Sequence, residues 1–182
     1  MRLLQLTLIL SILFLASCEK DPVIPNEEEL ITTLNFELIP IGGGATVSFT
    51  FQDLDGDGGD APIISGGILS ANESYVGTLV LLNETENPAD NISLEVEEEG
   101  DEHQFFFQST LSDVSVAYND QDVNGNPIGL SSTLTTANVG TGSLTITLRH
   151  EPNKFASGVS NGALSNAGGE TDIEVTFPFD VQ

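Results

Sequence analysis

The sequence predicts an all-β fold: an antiparallel, immunoglobulin-like β-sandwich of about nine strands, with one short acidic helix. Three observations predict it. From Leu30 onward apolar residues recur with a period of two, the runs are rich in Val, Thr and Phe, and clusters of Gly, Asn and Asp separate them. Val47, Phe49 and Phe51 alternate with Ser48, Thr50 and Gln52. Leu144, Ile146 and Leu148 alternate with Thr145, Thr147 and Arg149, and Ile173, Val175, Phe177 and Phe179 with Glu174, Thr176, Pro178 and Asp180. Such alternation turns one face to a core and the other to water. Short antiparallel strands then need a second layer to bury those faces.

The chain begins differently. Arg2 precedes an apolar run from Leu3 to Leu15 that ends in Leu15-Ala16-Ser17-Cys18. The run is shorter than the ~20 residues that span a bilayer, and its order is that of a signal peptide over residues 1–17. Small residues before the chain's one cysteine form a lipobox, in which the Cys18 thiol is alkylated with diacylglycerol and the chain is cut before it. The alternative is an ordinary secreted protein with a spare cysteine. With each buried CH₂ contributing about 0.8 kcal/mol, two or three acyl chains hold a protein on a membrane. Residues 18–29, with Pro22, Pro25 and several Glu, have the composition of an extended acidic tether.

The β-sandwich domain follows over residues 30–182. Strands are expected at about 30–39, 45–52, 63–69, 74–83, 103–109, 113–119, 129–137, 142–149 and 171–181. Pro178 lacks an N–H, so the last strand should lie at an edge or bend there. One segment breaks the alternation. Asn87 as cap, Pro88 at the first turn and Asp90 near the positive dipole end predict a helix over about 88–99. Ile92 and Val96 share one face, and the acidic C-terminal end should fray before Gly100. A solvated acidic loop is the alternative.

Shifting the sequence by 67 positions places Val47–Gly58 over Val114–Gly125 with five identities. This suggests a duplicated four-strand unit, about 30–88 and 103–152, closed by a last strand; convergent strand–turn spacing is the alternative. Each copy carries an acidic loop. Asp53, Asp55 and Asp57 with Gly58, and Asp120, Asp122 and Asn124 with Gly125, fit the D-x-[DN]-x-[DN]-G spacing of calcium loops. Alternate side-chain oxygens then converge on one centre, and a cation would relieve their mutual repulsion. The bidentate Glu expected at position twelve is replaced by Ile64 and Ser131, so Asp60, a carbonyl or water must complete the first site. Metal-free hairpin turns are the alternative, because Asp-Gly and Asn-Gly are turn formers.

Charge and composition exclude other classes. The 182 residues carry 28 acids against 4 basic side chains, a formal net charge of −24, which rules out a nucleic-acid partner. One cysteine excludes a disulfide scaffold. His103 follows Glu97, Glu98, Glu99, Asp101 and Glu102, and His150 stands between Arg149 and Glu151. Histidine with carboxylates can ligate a transition metal, although ordinary strand-end residues read the same way. Nucleophile triads, phosphate loops, dinucleotide turns and HExxH are absent from the sequence, and no enzyme is expected.

Glu27–Thr33, Asp53–Gly58, Asn83–Ala89, Glu102–Phe107, Leu148–Pro152 and Asn166–Asp172 resemble a group of small lipoproteins of Bacteroidota, especially flavobacteria. Some members carry the label "type 1 periplasmic binding fold"; alternating strands and long helices of that kind are not what this sequence predicts. The resemblance to proteins encoded beside TonB-dependent outer-membrane receptors implies a non-enzymatic accessory role in nutrient or metal uptake. It also implies a lipid anchor in the outer membrane, and Glu19-Lys20-Asp21 resembles a surface-export signal. The second reading is a structural or adhesive cell-surface β-module with calcium-stiffened loops.

Overall fold

A computed structural model describes residues 29–56 and 59–182. The expected signal peptide, Cys18, the expected tether before Glu29, and Asp57 and Gly58 lie outside the described residues. Strands take 47% and helices 9%, so the fold is all-β. The elements are β1 (Thr33–Pro40), β2 (Val47–Gln52), β3 (Ile63–Ser65), β4 (Gly67–Leu69), β5 (Ser74–Leu82), α1 (Ile92–Glu98), β6 (His103–Ser109), β7 (Val114–Tyr118), β8 (Ser131–Thr136), β9 (Gly140–His150) and β10 (Glu170–Val181). Two single-turn 3₁₀ helices, Val159–Asn161 and Leu164–Asn166, precede β10. No described helix is long and apolar enough to cross a membrane.

Two sheets form the sandwich, one in the order β3-β2-β1-β5-β8-β7, the other β4-β10-β9-β6. The period of two is realised in full on β10, where Ile173, Val175, Phe177, Phe179 and Val181 are buried. On β9, Leu144, Ile146 and Leu148 point into the same core. Phe49 packs against Phe36, Phe177 and Phe179 with centroids 5.7–6.4 Å apart, joining the two layers. β6 is buried on both faces. Phe105 belongs to the main core, while Phe106 packs with Val159 and Ala167 under the segment that links β9 to β10.

The structure corrects the expected strands in two places. The expected strand 63–69 is two strands in different sheets, separated by Gly66. A Cβ at Gly66 would lie 1.5 Å from the Pro178 carbonyl oxygen, so only glycine lets the chain cross between layers there. The sandwich is also not wholly antiparallel, because β4 pairs with β10 in parallel, Gly67 to Phe179 through Leu69 to Val181. That pairing starts immediately after Pro178, whose missing N–H therefore interrupts no ladder with β4. The expected strand units are distributed unequally. β1, β2, β3 and β5 share a sheet, whereas β6 and β9 lie in one sheet and β7 and β8 in the other.

The helix is shorter than the expected 88–99. Asn91, not Asn87, is the N-cap, its side chain accepting from the Ser93 N–H at 3.2 Å. A backbone bridge between Asn83 and Asp90 holds the intervening residues in a loop and delays the helix. Ile92 and Val96 are buried as their spacing requires, and Ser93 Oγ accepts from the Leu81 N–H at 2.7 Å, fixing α1 on β5.

Register places the polar chemistry at one end. Thr33 faces Gln52 and Leu82, Tyr118 faces Ser132, and His103, His150 and Glu170 form a row across the second sheet. Ile31, Asp53 and Ile173 line one surface recess, which brings the two sheets' ends together. Both acidic loops, α1, the Glu102–His103 and His150–Glu151 strand ends and Asp172 therefore share the end where Glu29 begins the body. The turns at the opposite end, 41–46, 70–73, 110–113 and 137–139, carry only Glu73 and Asp113 as acids.

Candidate functional site

In the first acidic loop the described carboxylates serve the backbone. Asp53 Oδ1 accepts from the Gly56 N–H at 2.9 Å, and Asp55 Oδ2 accepts from the Asp60 N–H at 2.9 Å. Gly56 adopts φ 67°, the left-handed conformation that the turn requires. Asp60 contributes its N–H to this turn, and its side chain is exposed. Asp57 and Gly58 lie outside the described residues.

The second loop is closed by a cation the protein carries itself. Asp120 accepts from the Gly129 and Ser131 N–H groups at 2.7 and 2.8 Å. Asp122 Oδ1 accepts from the Asn124 and Asn126 N–H groups at 2.8 and 2.9 Å, while Oδ2 takes a 3.1 Å bond from Lys154 Nζ. Lys154 is 4% exposed and also donates to the carbonyls of Pro127, at 2.9 Å, and Gly100. Burial pushes the Lys154 pKa down, and the bond to Asp122 opposes that shift. Burial would raise Asp122, but the Asn126 N–H, Lys154 and the Asn124 N–H outweigh it and hold the carboxyl below the usual range. Asn124 contributes its N–H to the turn. Lys154 thus brings to this loop the positive charge a calcium ion would supply, and places a cation just past the acidic C-terminal end of α1.

Beside this loop, β6 and β9 bring the two histidines together. They are register partners and the last rung of the core on their strands, following Phe105 and Leu148 on the same faces. Their rings stack with centroids 4.9 Å apart and planes 13° from parallel. His103 is 1% exposed, and its Nδ1 lies 3.2 Å from the Glu99 carbonyl oxygen. A carbonyl only accepts, so Nδ1 carries the proton. Burial, the largest influence, holds the His103 pKa below the ordinary value. The His103 Nε2 makes no hydrogen bond among the described residues and faces Asp172 Oδ2 at 3.9 Å. His150 Nε2 is 3.9 Å from Glu102 Oε2, and Glu102, His150 and Glu151 can bring one ligand atom each within 4.8 Å of the others. Glu29 lies nearby. Burial first, then the charge of Glu95, a side-chain hydrogen bond with Glu95, and the charges of Glu99 and Asp172 raise its pKa to about 7.

No family model matches the chain, and no curated protein matches it. Among solved structures, the crystal structure of domains 4 and 5 of the S-layer protein SbsC is similar over 81% of this chain and 70% of that one, at 12% identity and a TM-score of 0.31. So loose a likeness carries no argument about function.

Sequence reasoning named His103 and His150 separately, and the structure joins them. It set Glu151 beside His150 but placed Glu102 with His103 alone, and it missed Asp172 as the carboxylate facing His103 and Lys154 as the closing charge. Asp172 falls at a register shift between Thr171 and Ile173 on β10, which no residue pattern announces. Lys154 did leave a signal, being one of 4 basic residues against 28 acids.

Proposed function

We propose that the chain is a non-enzymatic, lipid-anchored protein of the cell envelope, held on the outer membrane through Cys18. In this reading it is accessory to nutrient or metal uptake, with a TonB-dependent receptor as partner. The observation that carries the reading is the acidic polarity of the sandwich. The end that gathers the acidic loops, α1 and the histidine pair is also the end at which the tether joins the body. Residues 19–28 reach at most ~35 Å when extended, so an anchor at Cys18 keeps that end near the membrane and whatever is embedded in it. Cation-collecting chemistry turned toward the membrane suits a protein that serves a membrane receptor. An adhesin would carry its binding groups on the distal turns, where only Glu73 and Asp113 are acidic.

The test combines anchoring with proximity. Cys18→Ala should lose metabolic labelling by a palmitate analogue. A photo-crosslinker at Glu98 should capture an integral outer-membrane protein, whereas one at Asp113 should not. Labelling that persists in Cys18→Ala, or capture from Asp113 alone, overturns the reading.

A further inference from the structure

We propose that Glu102, His150 and Glu151 form a binding site for a divalent transition-metal ion of the zinc class. The site goes beyond the uptake reading, and it stands whether or not the chain is anchored or meets a receptor.

The geometry comes from the strand ends. Glu102 precedes β6 and Glu151 follows β9, and the Glu151 N–H donates to the Glu102 carbonyl at 2.7 Å, so the backbone fixes both residues beside His150. Three ligand atoms already lie within 4.8 Å of one another. Around a tetrahedral ion with arms of 2.0–2.2 Å the ligand atoms stand about 3.4 Å apart. The two glutamates are exposed, so rotation about their side-chain bonds closes that difference without moving the backbone. His150 is the rigid member, 8% exposed and stacked on His103.

An independent observation points to the same end of the sandwich. The Nε2 of His103, 1% exposed, makes no hydrogen bond among the described residues and lies 3.9 Å from Asp172 Oδ2. Imidazole nitrogen selects zinc, copper or nickel over calcium and magnesium, which take oxygen ligands. Three protein ligands leave a fourth position open, the arrangement of sites that exchange water or substrate rather than of closed structural sites. His103 then acts as a positioning residue that holds the His150 ring, and Glu102 and Glu151 supply the negative charge that a dication requires.

The full chain, purified in detergent and stripped with EDTA, is titrated with zinc chloride by calorimetry and followed by the ring resonances of His150. The expected result is one zinc per chain at this site, with perturbed His150 resonances and no displacement by an equal concentration of calcium. Glu102→Gln with Glu151→Gln, both exposed and isosteric, should weaken binding at least about tenfold with an unchanged circular dichroism spectrum. Asp53→Asn with Asp55→Asn should leave the affinity unchanged. Binding that survives the glutamate pair, binding lost with the loop pair, or no binding at millimolar zinc each overturns the proposal.

Discussion

Lys154 Nζ donates to Asp122 Oδ2 across 3.1 Å, with side chains 2% and 1% exposed. This pair ties the β9–β10 segment to the β7–β8 loop and, through the Gly100 carbonyl, to the end of α1. Removing the ammonium leaves a buried carboxylate and two carbonyls without their donor. Lys154→Met should therefore lower the unfolding free energy by about 3–5 kcal/mol in urea titrations. Lys154→Met combined with Asp122→Asn should cost less than the sum of the single changes, as a double-mutant cycle reads directly.

The same pair predicts a response to acid. Asp122 titrates lower in the folded protein than in the unfolded chain. Its contribution is therefore complete above the unfolded pKa and is lost as pH falls through the folded value. Asp122→Asn should flatten the acid limb of the stability profile, measured as melting temperature against pH between about 2 and 6.

Glu29 should show the opposite sign. Its folded pKa of about 7 lies above the ordinary 4.5, so the folded state holds an extra proton between those values. Stability from this group is present at low pH, falls as pH rises through that window, and is level above it. Hydrogen exchange at residues 30–32 should accelerate between pH 5 and 8, beyond the intrinsic base-catalysed rise. Glu29→Gln should remove that excess.

Gly66→Ala tests the crossing between sheets. A methyl group at 1.5 Å from the Pro178 oxygen forces β4 away from β10, and the expected loss is about 3 kcal/mol. An unfolding midpoint within error of the parent would show that the backbone yields there.

Calcium separates the two acidic loops. Asp122 already faces Lys154, so Asp122→Asn should leave any calcium-dependent melting shift intact. If millimolar calcium raises the melting temperature by the few degrees expected for a weak site, Asp53→Asn with Asp55→Asn should cancel the rise. Scanning calorimetry with and without calcium distinguishes the cases.

Strand positions were legible because alternation is local: β9 and β10 announce their buried faces residue by residue. Sheet membership was not legible. Nothing local distinguishes Ile63–Ser65 from Gly67–Leu69, yet one pairs with β2 and the other with β10. The helix was legible in type through Ile92 and Val96, but its start depended on the Asn83–Asp90 bridge, a contact made by distant backbone. The candidate site was half legible. His103 and His150 stand out as the chain's two histidines. Their stacking follows from the β6–β9 register, which depends on long-range pairing. Lys154 sits far along the chain from Asp122, so its role emerges only when the intervening strands are in place.

The crossing at Gly66 also governs the order in which the molecule can be completed. β4 pairs with Phe179–Val181, far downstream in the chain, and β9 depends on β10 for one of its two flanks. A nascent chain can pair β1, β2, β3 and β5 early, yet its second layer stays open until β10 is made. Such long sequence separations slow folding and keep apolar strand faces exposed for longer. The protein therefore remains incompletely closed until β10 has been made, and a chain stopped before residue 170 has no route to the finished sandwich.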